Sequence, residues 1–308
     1  MENFNFSTIL QHFINGLTVG GIYAFIALGY TMVYGILKFI NFAHGEILMM
    51  GTYISLIIYD VFLNYFKTPF LIFVAFIISL IIGICFGVTL GVSVEILAYK
   101  PLRNAPRLAP LLSAIGVSII LSNLAAFLFG TKSKKFQYPF DNTPITISGI
   151  SISPNQLMIL ILSLILMVGL KIFIDKTKTG KAMRAASENQ KVASLMGINI
   201  NRIISITFAI GSGLAVIAGV LIALDYKVYP TMGTMAGLKA FIAAVVGGIG
   251  NISGAMLGGI ILGLLETFGT AVLGLPVGFK DIIAFGVLII ILLFKPEGIL
   301  GKKTREKV

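Results

Sequence analysis

The sequence predicts an all-α protein that crosses a membrane several times, with about 8–9 membrane segments, some of them broken or re-entrant. Two observations support this prediction. Hydrophobic residues make up 57% of the chain and charged residues only 11%, against roughly a quarter charged in soluble domains. Four stretches, 68–94, 108–131, 203–224 and 240–265, hold no charged residue and exceed the ~20 residues that a spanning helix needs.

The apolar runs are continuous, as at Ile72–Leu80, and therefore differ from the alternating strands of an outer-membrane barrel. The N-terminus lacks the basic region and the cleavage site of a signal peptide, so we expect the first span to be retained. One transmembrane domain, 1–308, is predicted. Its spans are placed at 10–36, 46–63, 70–98, 109–130, 156–174 and 203–224, followed by a glycine-rich region at 237–268 and a last span near 278–295.

The chain has a net charge of +11, and its basic residues are distributed among the loops as membrane topology predicts. This distribution removes the reason to expect nucleic-acid binding. Loops rich in lysine and arginine normally stay in the cytoplasm. Three basic clusters are placed there: Lys100, Arg103 and Arg107; Lys176, Lys178, Lys181, Arg184, Lys191 and Arg202; Lys295, Lys302, Lys303, Arg305 and Lys307. The loops between these clusters carry fewer basic residues and are placed on the external side.

Three segments are predicted to lie outside the spans. The polar segment 131–154 should form an external hairpin or cap between the fourth and fifth spans, because it contains the β-prone triplets Ile145–Ile147 and Ile150–Ile152. The basic segment 175–202 should be cytoplasmic and largely helical, since it has no apolar run long enough to span. The tail at about 296–308 is also placed in the cytoplasm.

Parity of the crossings predicts a break in the glycine-rich region. An odd number of crossings must separate the external loop at 225–236 from a cytoplasmic tail. A single helix over 237–268 followed by the last span would give an even number. We therefore predict that the chain breaks near Gly247–Gly254, into two shorter segments or a re-entrant pair, because glycine disfavours helix.

A second interruption, Ile40–Glu46, separates the first two spans without a real loop. Broken backbone survives at membrane depth only where it faces protein or a watery cavity, and paired breaks point to a transport path. The candidates for that path are Asn41, His44, Glu46, Gly247, Gly248 and Asn251. Close packing at small residues, or capping of the next helix by Asn41 or Glu46, are the alternative roles.

Other residues within the spans are predicted to have structural roles. Glu95 and Glu266 lie near the ends of apolar runs and are expected to reach an interface, and Lys239 is expected to extend to the membrane surface. Cys85 is expected to be a small buried hydrophobe. Close helix packing is expected at three glycine repeats, Gly83/Gly87/Gly91, Gly254/Gly258 and Gly259/Gly263. With two histidines and no nucleophile–base pair, neither a metal site nor a catalytic residue is predicted.

The sequence shows no nucleotide-binding loop. Gly180–Lys181 and Gly301–Lys302 both lack the following Ser or Thr and the leading Gly of the phosphate-binding motif. If ATP drives transport, the ATPase is another chain, and this chain binds no cofactor. Gly180–Gly197 is predicted to be a short cytoplasmic helix that exposes small and apolar residues to such a partner, namely Ala182, Ala185, Ala186, Leu195 and Met196.

Five stretches together resemble one family of membrane proteins. They are Asn15–Gly35, Ile40–Glu46 (INFAHGE), Lys100–Arg107, Gly180–Gly197 and Gly237–Asn251 (GLKAFIAAVVGGIGN). The pattern resembles the branched-chain amino acid ABC transporter permeases, in particular the LivH-type subunit of the LivH/LivM family. The resemblance extends over most of the chain, from the first predicted span to the last.

The resemblance implies a type-II-like importer permease in the cytoplasmic membrane of a bacterium or archaeon. It implies a second, related permease subunit, two cytoplasmic ATPases that hydrolyse ATP, and an external solute-binding protein. It also implies an ATPase-coupling segment that includes Arg184, Ala185, Ala186, Glu188, Asn189 and Gly197. The implied solute is a branched-chain or related aliphatic amino acid. Alternatives are urea or short-chain amides, or a secondary transporter driven by an ion gradient through His44 and Glu46.

Overall fold

The computed structural model describes residues 5–103, 105–106, 108–147 and 149–301, and most of these residues are helical. Arg107 and residues 302–308, which belong to the predicted basic clusters, lie outside the described residues. A π-helical turn at Glu95–Tyr99 and a 3-10 turn at Lys100–Leu102 continue the third helix. The helices are α1 Phe6–Leu37, α2 His44–Tyr65, α3 Pro69–Val94, α4 Leu108–Phe129, α5 Pro154–Lys176, α6 Lys178–Glu188, α7 Gln190–Leu195, α8 Ile200–Asp225, α9 Met232–Gly247, α10 Ile252–Leu273 and α11 Lys280–Phe294.

The predicted fold class, a helical protein with several membrane spans, is confirmed. Among the described residues, seven helices are long and apolar enough to cross a membrane: α1, α2, α3 with its continuation, α4, α5, α8 and α10. Helix α9 is apolar but shorter. The full number of crossings, about 8–9, stays a prediction.

The predicted break in the glycine-rich region is confirmed, because α9 ends at Gly247 and α10 begins at Ile252. The two helices pack closely here, since a side chain on Gly247 would overlap the carbonyl of Gly254. Glycine packing is also confirmed between α1 and α10, where a side chain on Gly259 would overlap the backbone of Ala24. Small residues let these helix backbones approach each other, as expected in a membrane interior.

Short strands gather two loops at one end of the molecule. The predicted hairpin is present as β2 (Ile145–Ile147) paired antiparallel with β3 (Ile150–Ile152). A second pair joins β1 (Lys134–Lys135) to β4 (Lys227–Val228), which follows α8. The segment 131–154 therefore lies beside the loop after α8, as the assignment of both to the external side requires.

A tyrosine reinforces this end. The Tyr138 hydroxyl donates a hydrogen bond to Asp225, at 3.1 Å. Burial raises the pKa of Tyr138, and the negative charge of Asp225 raises the pKa further. The phenol therefore remains protonated and continues to donate at physiological pH.

The described parts of the three basic clusters lie together at the opposite end. Arg103 donates to Asn201 at 2.6 Å, which joins the turn after α3 to the start of α8. At the C-terminal end of α9, the N–H of Ile299 donates to the carbonyl of Val246 at 2.8 Å. This grouping agrees with the placement of all three clusters on one side of the membrane.

Helices α1 and α8 form the buried centre, while α3, α4 and α5 expose most of their apolar surface. The prediction that Cys85 is buried is wrong, because this residue lies on the outer surface of α3. The physical reason is that lipid is as apolar as a protein core, so an apolar surrounding sequence does not distinguish an inward from an outward position.

Candidate functional site

The first broken segment places the start of α2 inside the membrane. Helix α1 ends at Leu37, yet the imidazole of His44 packs against Gly29, about two turns back along α1. Residues 38–43 therefore run back beside the end of α1 before α2 begins. Asn41 shapes this segment, because its Oδ1 accepts hydrogen bonds from the Ala43 N–H (3.1 Å) and from the Tyr99 hydroxyl (2.6 Å).

The first turns of α2 and α9 meet by direct backbone contact. A side chain on Gly45 would overlap the carbonyl of Gly233, and a side chain on Gly233 would overlap the carbonyl of Gly45. The rings of Phe42 and Phe241 lie 6.3 Å apart across the same junction. Two helix N-termini, each carrying a partial positive charge, are thereby brought together.

Glu46 lies at this junction and is 1% exposed. Its Oε1 accepts hydrogen bonds from the hydroxyls of Thr234 on α9 (2.8 Å) and Ser118 on α4 (3.3 Å). Its Oε2 is buried without a hydrogen-bond partner among the described residues. The carboxyl group therefore links three helices and still has a free acceptor.

Several neighbouring polar atoms share this property. In the part of the chain that the structure describes, Asn41 Nδ2 and Thr31 Oγ1 are also buried without a partner, while the His44 imidazole lies within hydrogen-bonding reach of the backbone of Ile26. The rings of His44 and Tyr30 meet edge to face, 4.7 Å apart. We call the group Tyr30, Asn41, His44, Glu46, Tyr99, Ser118 and Thr234 the α2 cluster. Unpartnered polar groups are unfavourable in a membrane interior, so the α2 cluster is a candidate for a place that water or a ligand reaches.

The other predicted path residues lie elsewhere. Gly247, Gly248 and Asn251 form the turn at the far end of α9, where Asn251 caps α10 through Gly254 (3.2 Å) and donates to the Leu300 carbonyl (2.8 Å). A side chain on Gly248 would approach Gly301 too closely. The structure thus gives these three residues packing and capping contacts and does not join them to the α2 cluster. A role for any of the six residues in the path stays a prediction.

A second cluster of ionisable residues was not predicted from the sequence, which did not indicate that its members meet. Lys239 lies 3.1 Å from the Glu266 carboxylate and 2.8 Å from that of Asp281. Tyr23 on α1 donates to Glu266 at 2.9 Å. Lys239 is mostly buried and Glu266 fully so, and both lie near Tyr226, directly after α8, so their expected approach to the membrane surface stays a prediction. A buried charge at membrane depth is stabilised by an opposite charge, and here the partners come from three helices.

Glu95 is likewise fully buried, and its predicted position near an interface stays a prediction. It forms an ion pair with Arg103 and accepts a hydrogen bond from Ser205 on α8 at 2.7 Å. The paired cation is eight residues away along the chain and is brought close by the π-helical turn at Glu95–Tyr99. A charged residue in an apolar stretch was the available signal, but the sequence did not identify its partner.

The predicted coupling helix consists of two helices, α6 and α7, which separate at Asn189. Asn189 ends the first helix, where its backbone N–H donates to the carbonyl of Ala185 (3.1 Å), and its side chain caps the second helix by accepting from the N–H groups of Lys191 and Val192. Arg184, Ala185 and Glu188 are exposed, and Arg184 pairs with Asp175 at 3.1 Å.

Two further residues of this segment differ in their environment. Ala186 was expected to be exposed but is 1% exposed, since this face of α6 packs on the bundle. Gly197 has a φ of +82°, the left-handed conformation that favours glycine after a helix. Leu195 and Met196 are 86% and 79% exposed, which leaves an apolar tip on α7, as predicted.

The coupling segment also contacts the broken segment near the α2 cluster. The Gln190 side chain, in the first turn of α7, donates to the carbonyl of Ile36 at 2.6 Å. Ile36 is in the last turn of α1, directly before the chain turns back toward Asn41. A movement of α7 would therefore act on the segment that leads into the α2 cluster.

These features define a class of protein: a multi-pass helical membrane protein with broken segments and a polar cluster at membrane depth, the architecture of a transport permease. The particular family follows from the sequence. The chain belongs to the family of permease components of branched-chain amino acid transport systems, whose family model matches residues 12–292. The chain is accordingly a multi-pass transport subunit of the cell membrane, and the resemblance found in the sequence is confirmed.

Several curated proteins are similar over nearly their whole length. The high-affinity branched-chain amino acid transport system permease protein BraD of Pseudomonas aeruginosa is 46% identical, over 97% of this chain and 98% of that protein. The permease protein LivH of Escherichia coli K12 is 44% identical, over 98% of this chain and 99% of that protein. A more distant relative, the autoinducer 2 import system permease protein LsrC of Yersinia enterocolitica, is 31% identical over 50% of this chain and 42% of that protein.

Proposed function

We propose that this chain is one of two permease subunits in an ABC importer for branched-chain or related aliphatic amino acids. The observation that carries the proposal is the similarity of the chain, over nearly its whole length, to permeases named for that transport. Two cytoplasmic ATPases would supply energy, because the sequence lacks a phosphate-binding loop. An external solute-binding protein would deliver the amino acid.

The mechanism uses the contact between the coupling segment and the broken segment. The ATPases would bind the exposed side of α6 and the apolar tip of α7, formed by Leu195 and Met196. ATP-driven closure would move α7, and the hydrogen bond from Gln190 to Ile36 would transmit that movement to the end of α1. The segment 38–43 and the first turn of α2 would then shift against α9, which changes access to the α2 cluster.

Reconstitution tests this function. The chain, purified with its second permease subunit and the ATPases, is placed in liposomes that enclose ATP on the side of the ATPases, and the binding protein is added outside. We expect uptake of radiolabelled leucine that needs both ATP and the binding protein. Uptake of urea or a short-chain amide in place of leucine would contradict the substrate. Uptake by this chain alone under a proton or sodium gradient would contradict the ABC mechanism.

A further inference from the structure

Glu46 differs from the other fully buried glutamates of the described residues in having no basic partner. Glu95 is paired with Arg103, and Glu266 is paired with Lys239. The hydrogen-bond donors that the described residues offer Glu46 are hydroxyls, those of Thr234 and Ser118, with a further hydroxyl from Ser122 nearby. The partial positive ends of α2 and α9 and these hydroxyls offset the carboxylate less than a full positive charge would, so a cation that reaches Glu46 would be bound strongly.

The hydrogen-bond geometry fits the ionised carboxylate. The two hydroxyls that donate to Oε1 are arranged as donors to an acceptor-only group. Oε2 itself makes no hydrogen bond within the described residues, although the Ser122 hydroxyl lies near the carboxyl group. The free Oε2 is therefore suited to accept a hydrogen bond from a donor that arrives from outside the chain.

The surroundings of Glu46 also offer a place for negative charge. The residues that precede α2 and α9, Ala43 and Thr231, provide no side-chain cap to either helix. In the first turn of α9 the N–H groups of Met232 and Thr234 already donate to the carbonyls of Tyr229 (3.0 Å) and Thr231 (3.3 Å), so the N–H of Gly233, aided by the helix dipole, is the group left to attract an anion. The Glu46 carboxylate, which can bind a cation, and a helix end that can bind a carboxylate thus lie side by side. This arrangement matches the two charges of a zwitterion.

From this arrangement we propose that Glu46 binds the ammonium group of the transported amino acid while the first turn of α9 binds its carboxylate. The inference rests on the proposed function and deepens it by assigning a recognition site. It also gives a physical reason for the substrate class. An uncharged amide such as urea has no ammonium group to compensate Glu46, whereas every α-amino acid carries one.

The test replaces Glu46 with glutamine, which keeps the size of the side chain and removes its charge. In the reconstituted importer, Glu46→Gln should lower leucine uptake about tenfold or more, because a hydrogen bond to a charged group is lost. ATP hydrolysis stimulated by the binding protein should remain, since the coupling segment is unchanged. Asp60→Asn is the matched control: it removes an exposed carboxylate further along the same helix and should leave uptake unchanged.

The outcomes separate the inference from the proposed function. Wild-type uptake of leucine together with normal uptake by Glu46→Gln would overturn the inference alone and would make Glu46 a structural group. Failure of the wild type to import leucine would overturn the proposed function. If the Glu46→Gln variant does not assemble, Glu46→Asp provides the test, because its shorter side chain keeps the negative charge but moves the carboxylate away by one methylene group. The leucine concentration for half-maximal uptake should then rise, and an unchanged value would contradict the proposal.

Discussion

At the scale of single residues, the buried charges of this protein are distributed over several helices. Lys239 on α9 faces Glu266 on α10 and Asp281 on α11, and Tyr23 on α1 completes the group. The sequence revealed that ionisable residues interrupt apolar stretches. It did not reveal that they meet, because their separation along the chain says nothing about their distance in the folded bundle.

Lys239→Met should destabilise the protein strongly, by about 3–5 kcal/mol, because it leaves the buried Glu266 without its cation. The fall should appear as a lower midpoint of thermal unfolding for the protein in lipid nanodiscs. The double variant Lys239→Met/Glu266→Gln should be more stable than the single variant, since it removes the uncompensated charge. Lys171→Met, at an exposed position, is the control. Equal stability of Lys239→Met and wild type would mean that the ion pair contributes nothing.

At the scale of elements, both predicted interruptions are present, and they differ in character. The break between α9 and α10 is a turn at the basic end of the molecule, filled by close glycine contacts. The break between α1 and α2 returns into the bundle and brings Asn41, His44 and Glu46 together with α9. Glycine content predicted where the chain bends. The depth of each bend depends on which helix packs against it.

The paired helices α6 and α7 provide a test of coupling. Reversing two exposed charges, Arg184→Glu with Lys191→Glu, should uncouple ATP hydrolysis from leucine uptake while the complex still assembles. Assembly should survive because the exposed Arg184–Asp175 pair is worth about 1 kcal/mol or less. The ratio of leucine imported to ATP hydrolysed in proteoliposomes measures the effect.

Lys67→Glu is the control for this charge reversal, since it is exposed and lies before α3, outside the basic clusters. Its ratio of transport to hydrolysis should equal that of the wild type. A normal ratio in the Arg184→Glu/Lys191→Glu variant would show that these residues do not meet the ATPase.

At the scale of the whole molecule, charge determines the orientation in the membrane. The described basic residues of all three clusters lie at one end, and the paired strands lie at the other. We therefore expect the end that carries α6 and α7 to face the cytoplasm.

Cysteine labelling checks this orientation. In a Cys85→Ala background, Thr143→Cys should react with a membrane-impermeant maleimide in intact cells, because it lies in the external loop and is exposed. Lys178→Cys, also exposed but at the basic end, should react only after the membrane is permeabilised. The opposite pattern would reverse the topology.

The sequence by itself determined that this chain is a helical membrane protein, about where its longer apolar helices lie, where it bends and to which family it belongs. These properties depend on local composition, on charge between spans and on motifs, all of which can be read along the chain. Only the tertiary structure decided which positions face outward, as at Cys85, which buried charges are paired, and that Glu46 has no basic partner among the described residues. The reason is that lipid and protein interior are equally apolar, so position and partner in a membrane are set by packing between distant helices.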